Sequence, residues 1–429
     1  MVFNSLGDKF FFFHISTILF SLIPIFLITG PFLSDLSISL ISLLFLLYCI
    51  KTNNFSYFKN KYFYFFLLFW LYLILNSLIN NFSIDNFGTA IVYGRFGIFV
   101  IAIVALLNVD DKFIKFFFYC IFVCFLILII DGFYQYFSGE NILGWKRSER
   151  TSSFFGEEKI LGSYVSRLWP IFFGLSIFIF KQKDKLFFLF ITIFILSEVL
   201  IFLSGDRSAF FNINLSAIFV ILFSQKLLKL RLFTLITSIL LLIIISFVNP
   251  TSKERVFDKT FNQMNIGDQN INVENKLHGI KDIYIFSKQH THHYITGFKM
   301  FLDNKLLGVG IKNFRIFCSD VKYKESYLSC STHPHNTYIQ ILAETGLFGF
   351  MFLLTALFYF CKYVLQHLFL RFKGKYYFTD FEICVLSGIS IYLWPFIPTG
   401  SIFTNWLSII MFINMPFLIW SRQLNKIND

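Results

Sequence analysis

Apolar runs of about 20 residues, separated by short charged loops, recur along this chain at 10–29, 33–50, 62–79, 88–107, 113–134, 160–180, 186–204, 208–224, 232–249, 344–365, 380–397 and 402–420. Each can cross a bilayer hydrocarbon core of ~30 Å, where every backbone amide must find its partner inside the protein. That requirement admits helices and closed barrels only, and these runs are too long for barrel strands. The expectation is an all-α integral membrane protein of about twelve transmembrane helices with a large, partly helical loop. The first run, Phe10–Ile28, exceeds a signal-peptide core and no small-residue cleavage site follows it, so it reads as a retained span. The 64 phenylalanines accompany abundant Ile, Asn and Lys, a pattern of AT-rich coding that assigns the rings no special chemistry.

The formal charge of +12 raises the question of nucleic acid, and its placement answers it. The basic residues sit in short loops, with no concentrated surface to follow a phosphate backbone. With an N-terminus-inside topology, the loops on that side carry Lys51, Lys59, Lys61, Lys112, Lys115, Lys181, Lys183, Lys185, Lys226, Lys229, Arg231, Lys362, Arg371, Lys373, Lys375, Arg422 and Lys426. The short loops opposite (30–32, 80–87, 205–207, 398–401) carry Arg207 alone. This positive-inside asymmetry predicts both termini in the cytoplasm. Residues 1–249 then hold nine spans with an outer loop at 135–159, 250–343 form the large outer loop, and 344–429 hold three spans and a cytoplasmic tail.

Arg207, in Ser204-Gly-Asp-Arg-Ser-Ala, runs against that charge bias, so a partner is expected for it rather than simple snorkelling. In the first outer loop, Lys146 and Lys159 read as solvated charges. Arg150 and Arg167 flank a return into the membrane, where forked, permanently charged guanidiniums suit a diphosphate. The large outer loop starts polar (Asn249–Asn275), becomes helix-compatible around Asp282–Asp303, and turns at Gly308-Val-Gly-Ile-Lys-Asn-Phe-Arg315. Cys318 and Cys330 are the pair this topology places outside, where an oxidising compartment would let them join, for about 3 kcal/mol. No CxxC metal spacing occurs. His290, His292 and His293 invite a metal reading, but without a carboxylate at ligand spacing a polar helix start or a hydrogen-bonded loop is the plainer one.

The most telling segment is His333-Pro-His-Asn-Thr-Tyr-Ile-Gln-Ile-Leu-Ala-Glu-Thr-Gly-Leu-Phe-Gly349. Pro334 disfavours helix at His333, and Asn336 and Thr337 are helix-capping types. His335 therefore falls at the start of the helix that becomes the tenth span, where helix polarity disfavours an imidazolium. A neutral imidazole there can accept a proton. Gly346 and Gly349 share a helix face and suit close packing. Arg95 and Glu198 are the mid-span charges, and Arg95 suits either a diphosphate or a partner within the bundle.

His335-Asn336, nine residues, Gly346, two residues and Gly349 together resemble the motif of the O-antigen ligase family of bacterial lipopolysaccharide assembly. Arg207 stands where ligases carry an arginine at a periplasmic helix end. Gly308–Arg315 and Arg150…Phe154-Phe-Gly-Glu…Gly162-Ser-Tyr also look like elements of that superfamily. The resemblance covers roughly 130–365, whereas the first four helices rest on hydropathy. It implies a GT-C-like fold in the inner membrane with a periplasmic active site. It further implies glycan transfer from undecaprenyl diphosphate to the lipid A–core acceptor, with no cofactor, metal or nucleotide. His335 would be the base, with Arg207, Arg150, Arg167 and Arg315 for the diphosphate. An O-antigen polymerase or a protein O-oligosaccharyltransferase would share the donor. A polysaccharide flippase would need two related halves with broken helices, and no internal repeat is visible.

Overall fold

A computed structural model describes residues 5–80, 83–180, 185–225, 228–248, 253–264 and 284–428, and among these the chain is helical with no β-strand. Asp282 and most of Asn249–Asn275 lie outside the described residues. The helices are α1 (Ser5–Thr29), α2 (Pro31–Thr52), α3 (Lys61–Ile79), α4 (Ile84–Val109), α5 (Phe113–Ser138), α6 (Leu161–Ile179), α7 (Lys185–Ser204), α8 (Arg207–Phe223) and α9 (Leu228–Val248). They are followed by α10 (Lys288–Asp303), α11 (Thr337–Phe372), α12 (Asp380–Leu393) and α13 (Asn405–Asn428). Among the described residues, eight helices are long and apolar enough to cross a membrane, and three shorter apolar ones cover 188–204, 207–223 and 232–247. The protein is an all-α integral membrane protein.

Polar side chains start the helices where the apolar runs begin. Ser83, Asp206 and Asn336 accept hydrogen bonds from the first-turn amides of α4, α8 and α11, and Thr379 with Glu382 forms a capping box on α12. The interior between α1, α5, α6 and α13 is an aromatic lattice. Phe20 stacks on Phe117 with centroids 4.6 Å apart and Phe118 on Phe172 at 5.0 Å. Arg95 is not free for a ligand: it pairs with Asp35 and donates to Ser39 across the α2–α4 contact.

The interhelical connections sort to two ends. At one, Asn80 donates to the Leu307 carbonyl (3.2 Å), Asn86 to Asn313 (2.6 Å), and Arg255 to the carbonyls of Gly205 (3.3 Å) and Glu149 (2.8 Å). At the other, the Gln225 amide meets Asp380 (2.6 Å), His367 meets the Phe223 carbonyl (2.9 Å) and Arg422 donates to the Tyr377 carbonyl (2.7 Å). The large polar segment and the 139–160 connection thus share one end of the bundle.

Two hydrophobic runs depart from expectation, and both departures build that end. The tenth begins at Thr337 and breaks at Gly346, whose backbone (φ 63, ψ −163) lies in a region open essentially to glycine. The break swaps hydrogen bonds. The amides of Leu347 and Phe348 turn to the carbonyls of Lys305 (2.8 Å) and Leu306 (3.3 Å). The freed carbonyls of Ala343 and Glu344 accept from Val309 and Gly310 (2.9 Å each), and that of Thr345 accepts from Tyr72. These five backbone groups at the kink are thereby satisfied. A side chain at Gly346 would drive into the Leu306 carbonyl, so this glycine serves a backbone exchange, not the helix packing expected of it. Gly349 does sit at a packing contact, a Cβ there lying 3.1 Å from the Tyr72 ring.

The eleventh run, expected over 380–397, stops being helical after Leu393, and Trp394–Thr404 is irregular up to α13. Irregular backbone is tolerated at such depth only when protein or a wet cavity satisfies it. Here it packs against the start of α11.

Candidate active site

The turn before α11 is locked from three sides. The Ser331 hydroxyl caps the His333 carbonyl. The Asn336 side chain accepts from the amides of Tyr338 (2.9 Å) and Ile339 (3.1 Å) and donates to the Pro395 carbonyl (2.7 Å). Thr399, in the irregular stretch, donates its amide to the His335 carbonyl (2.9 Å) and takes His333 Nε2 on its own carbonyl (3.2 Å). A carbonyl can only accept, so His333 carries its proton on Nε2, and its Nδ1 accepts from Thr332 (2.9 Å). His335 holds a left-handed backbone (φ 57), which presents its ring to α10.

There it joins a histidine cluster. The His335 centroid lies 4.1 Å from His333, 5.3 Å from His293 and 5.5 Å from His290. Burial lowers the His335 pKa to about 3, with the neighbouring His333, His290 and His293 pushing the same way. Burial likewise lowers His333 and His290 to about 4, the latter helped by His293 and Arg207. The imidazoles are therefore neutral near pH 7. Among the described residues no side chain hydrogen-bonds the His335 ring, and no group of His, Cys, Asp or Glu is arranged to hold a metal.

Arg207 reaches this cluster through two rings. Its guanidinium lies 5.2 Å from the Phe286 centroid, and Phe286 packs on His290 at 5.6 Å. It also donates to Thr260 (3.3 Å). Arg150 is close enough for repulsion to bear on Arg207, as is Arg255. Arg255 lies in the polar run that follows Asn249. It bridges the Gly205 carbonyl to Glu149, so it clips the Arg150 loop to the turn that carries Arg207. That loop is folded in its own right. Buried Asp131 and Gln135 of α5 accept from the Ile142 amide (2.9 Å), from Ser153, and from the amides of Ser152 (2.9 Å) and Ser153 (2.7 Å).

Arg167 is only 3% exposed. It stacks over Tyr392 (4.8 Å), donates to Ser163 (3.1 Å) and to the Thr399 hydroxyl (3.2 Å), and its remaining buried nitrogen, Nη1, has no hydrogen-bond partner among the described residues. Thr399 therefore connects Arg167 to both histidines of the turn. Arg315 stands apart, exposed on a short helix (Phe314–Phe317), yet its charge bears on His333. Cys318 and Cys330 are joined in a disulfide, Cα–Cα 5.0 Å, closing the loop just ahead of the histidine turn. Beneath the turn, Gln340 donates to Glu344 (3.0 Å) and Ser401 (2.7 Å) and accepts from the Ile402 amide (3.2 Å), while Glu344 accepts from the Phe314 amide (3.2 Å). This buried pair ties the Gly308–Arg315 turn to the 394–404 stretch.

Fold and site together define a polytopic helical membrane protein with a neutral histidine cluster flanked by arginines at one end of its bundle. Residues 190–354 match the model of the family described as O-antigen ligase, so this stretch of the chain is similar to that family. The matched stretch runs from α7 through the His335 turn to beyond the Gly346 kink. No curated protein matches the chain. The family's chemistry is glycosyl transfer of the ligase or polymerase type, on lipid-linked glycans at a membrane.

Proposed function

We propose that the protein is an O-antigen ligase of the bacterial inner membrane. It transfers a glycan from undecaprenyl diphosphate to the lipid A–core acceptor on the periplasmic face, with both termini in the cytoplasm. The observation that carries this reading is the approach of Arg207, through Phe286 and His290, to a neutral and unpartnered His335. An acceptor hydroxyl oxygen attacks C1 of the donor sugar and its proton passes to the His335 ring. The C1–O bond to the diphosphate breaks, and undecaprenyl diphosphate leaves with the electron pair, inverting the anomeric centre. Arg207, Arg150 and Arg167 hold the growing negative charge, with Arg315 at the rim. The diphosphate also counters the low proton affinity of the empty cluster, because a nearby anion raises an imidazole's pKa.

His335→Ala is expected to abolish transfer at unchanged membrane abundance, read as surface O-antigen on lipopolysaccharide gels. Arg207→Lys should fail as well, since a point charge does not replace a bidentate fork. A deletion strain separates ligase from polymerase. Bare core with accumulated lipid-linked polymer is the ligase outcome, whereas core bearing a single repeat would overturn it.

A further inference from the structure

The helix α10 has two faces, and the histidine cluster uses only one. Its inner face buries His293, Tyr294, Thr296, Gly297 and Met300 against α11. Spaced three, then four residues apart, Ile295, Phe298 and Leu302 line up on the outer face and are 37%, 45% and 48% exposed. The neighbouring polar face is already occupied: Lys299 pairs with Glu325 (2.5 Å) and Asp303 with Lys322, both from the disulfide-closed loop. Among the described residues nothing packs over the apolar stripe.

The stripe does not end with the helix. Leu306 continues it at 57% exposure, and the backbone exchange at the kink sets Lys305 and Leu306 against Leu347 and Phe348 of α11. Those two, followed by Met351, Leu354 and Phe358, are exposed apolar residues on the outside of a membrane-spanning helix. One apolar surface therefore runs from the lipid-facing side of α11 onto α10. Exposed Lys288 and Lys305 stand at the two ends of its α10 portion, as ammonium groups suited to lipid phosphates would.

We propose that Ile295, Phe298, Leu302 and Leu306 form a bilayer-binding surface, so that α10 lies in the lipid interface beside α11 and not free in solvent. An amphipathic helix with an apolar stripe and basic ends is the element suited to that position. Because the same helix carries His290 and His293, its seating in lipid sets the depth of the histidine cluster. The proposal stands independently of the reaction assigned to that cluster.

Nitroxide labels at Ile295→Cys, Phe298→Cys and Leu302→Cys, in full-length Cys361→Ser protein in phospholipid nanodiscs, test it by power-saturation spectroscopy. Oxygen accessibility should exceed that of a water-soluble nickel chelate at all three sites, and the order should reverse at Val321→Cys on the disulfide loop. Nickel accessibility at 298 equal to that at 321 would mean a solvent-facing helix. Low accessibility to both reagents would mean a protein cover. Either result overturns the proposal. A second measurement needs no substitution: wild-type protein in nanodiscs doped with a diazirine-acyl phospholipid should carry adducts between Ile295 and Leu306. Adducts confined to α11 overturn it too.

Discussion

His335 is placed by its neighbours more than by its own bonds. Its carbonyl is held by Thr399, its backbone is left-handed, and its ring is left among other imidazoles. The sequence made His335 and Asn336 legible because capping chemistry is local. It could not make Thr399 legible, since Pro395, Pro398 and Gly400 sit where hydropathy suggests the end of a span. Nor could it bring His290 and His293 to His335, because nothing in the α10 pattern says which face meets α11. The cluster has a thermodynamic signature. His335 at about 3, and His290 and His333 at about 4, lie below the ordinary histidine value near 6.5, so the folded state binds fewer protons than the unfolded chain. The stability they contribute is present above pH ~6.5 and lost as pH falls through ~4. Thermal unfolding of detergent-solubilised protein should show a falling midpoint over that window. His290→Gln should flatten the fall, and coincident acid limbs for the two proteins would acquit the cluster.

Among the elements, α11 and α12 repay most attention. Hydropathy located both runs but missed the Gly346 break and the early end of α12, because neither changes the apolar count. Gly346→Ala should cost at least ~2 kcal/mol, combining a disfavoured backbone with a clash on the loop, and should lower the unfolding midpoint sharply. A midpoint within a degree of wild type would argue for a regular helix there. Gln340 is the complementary case. Gln340→Leu takes the Gln340 partner from Glu344 Oε2 and from the Ile402 amide, at ~1–3 kcal/mol for each buried group left unsatisfied. Transfer rate should fall further than protein abundance, because the two segments that flank His335 are no longer tied. Equal losses would reduce Gln340 to a packing residue.

On the scale of the whole molecule, the alternation of loops is an expectation that depends only on counting spans. Arg422 and Tyr377 meet at one end of the bundle, while the histidine cluster and Arg207 lie at the other. Reporter fusions after residue 54 and after residue 374 should be active only in the cytoplasm, and a fusion at 321 only outside it. A cytoplasmic signal at 321 would sink the proposed reaction with the topology. The hydrogen-bond exchange at Gly346 has a further consequence. Val309 and Gly310 are stitched to the same helix that anchors His335, so this turn of the polar segment is held to the helix and not free to swing from it. In the proposed reaction, substrates are then expected to exchange sideways, at the pace of lipids sliding into a fixed berth.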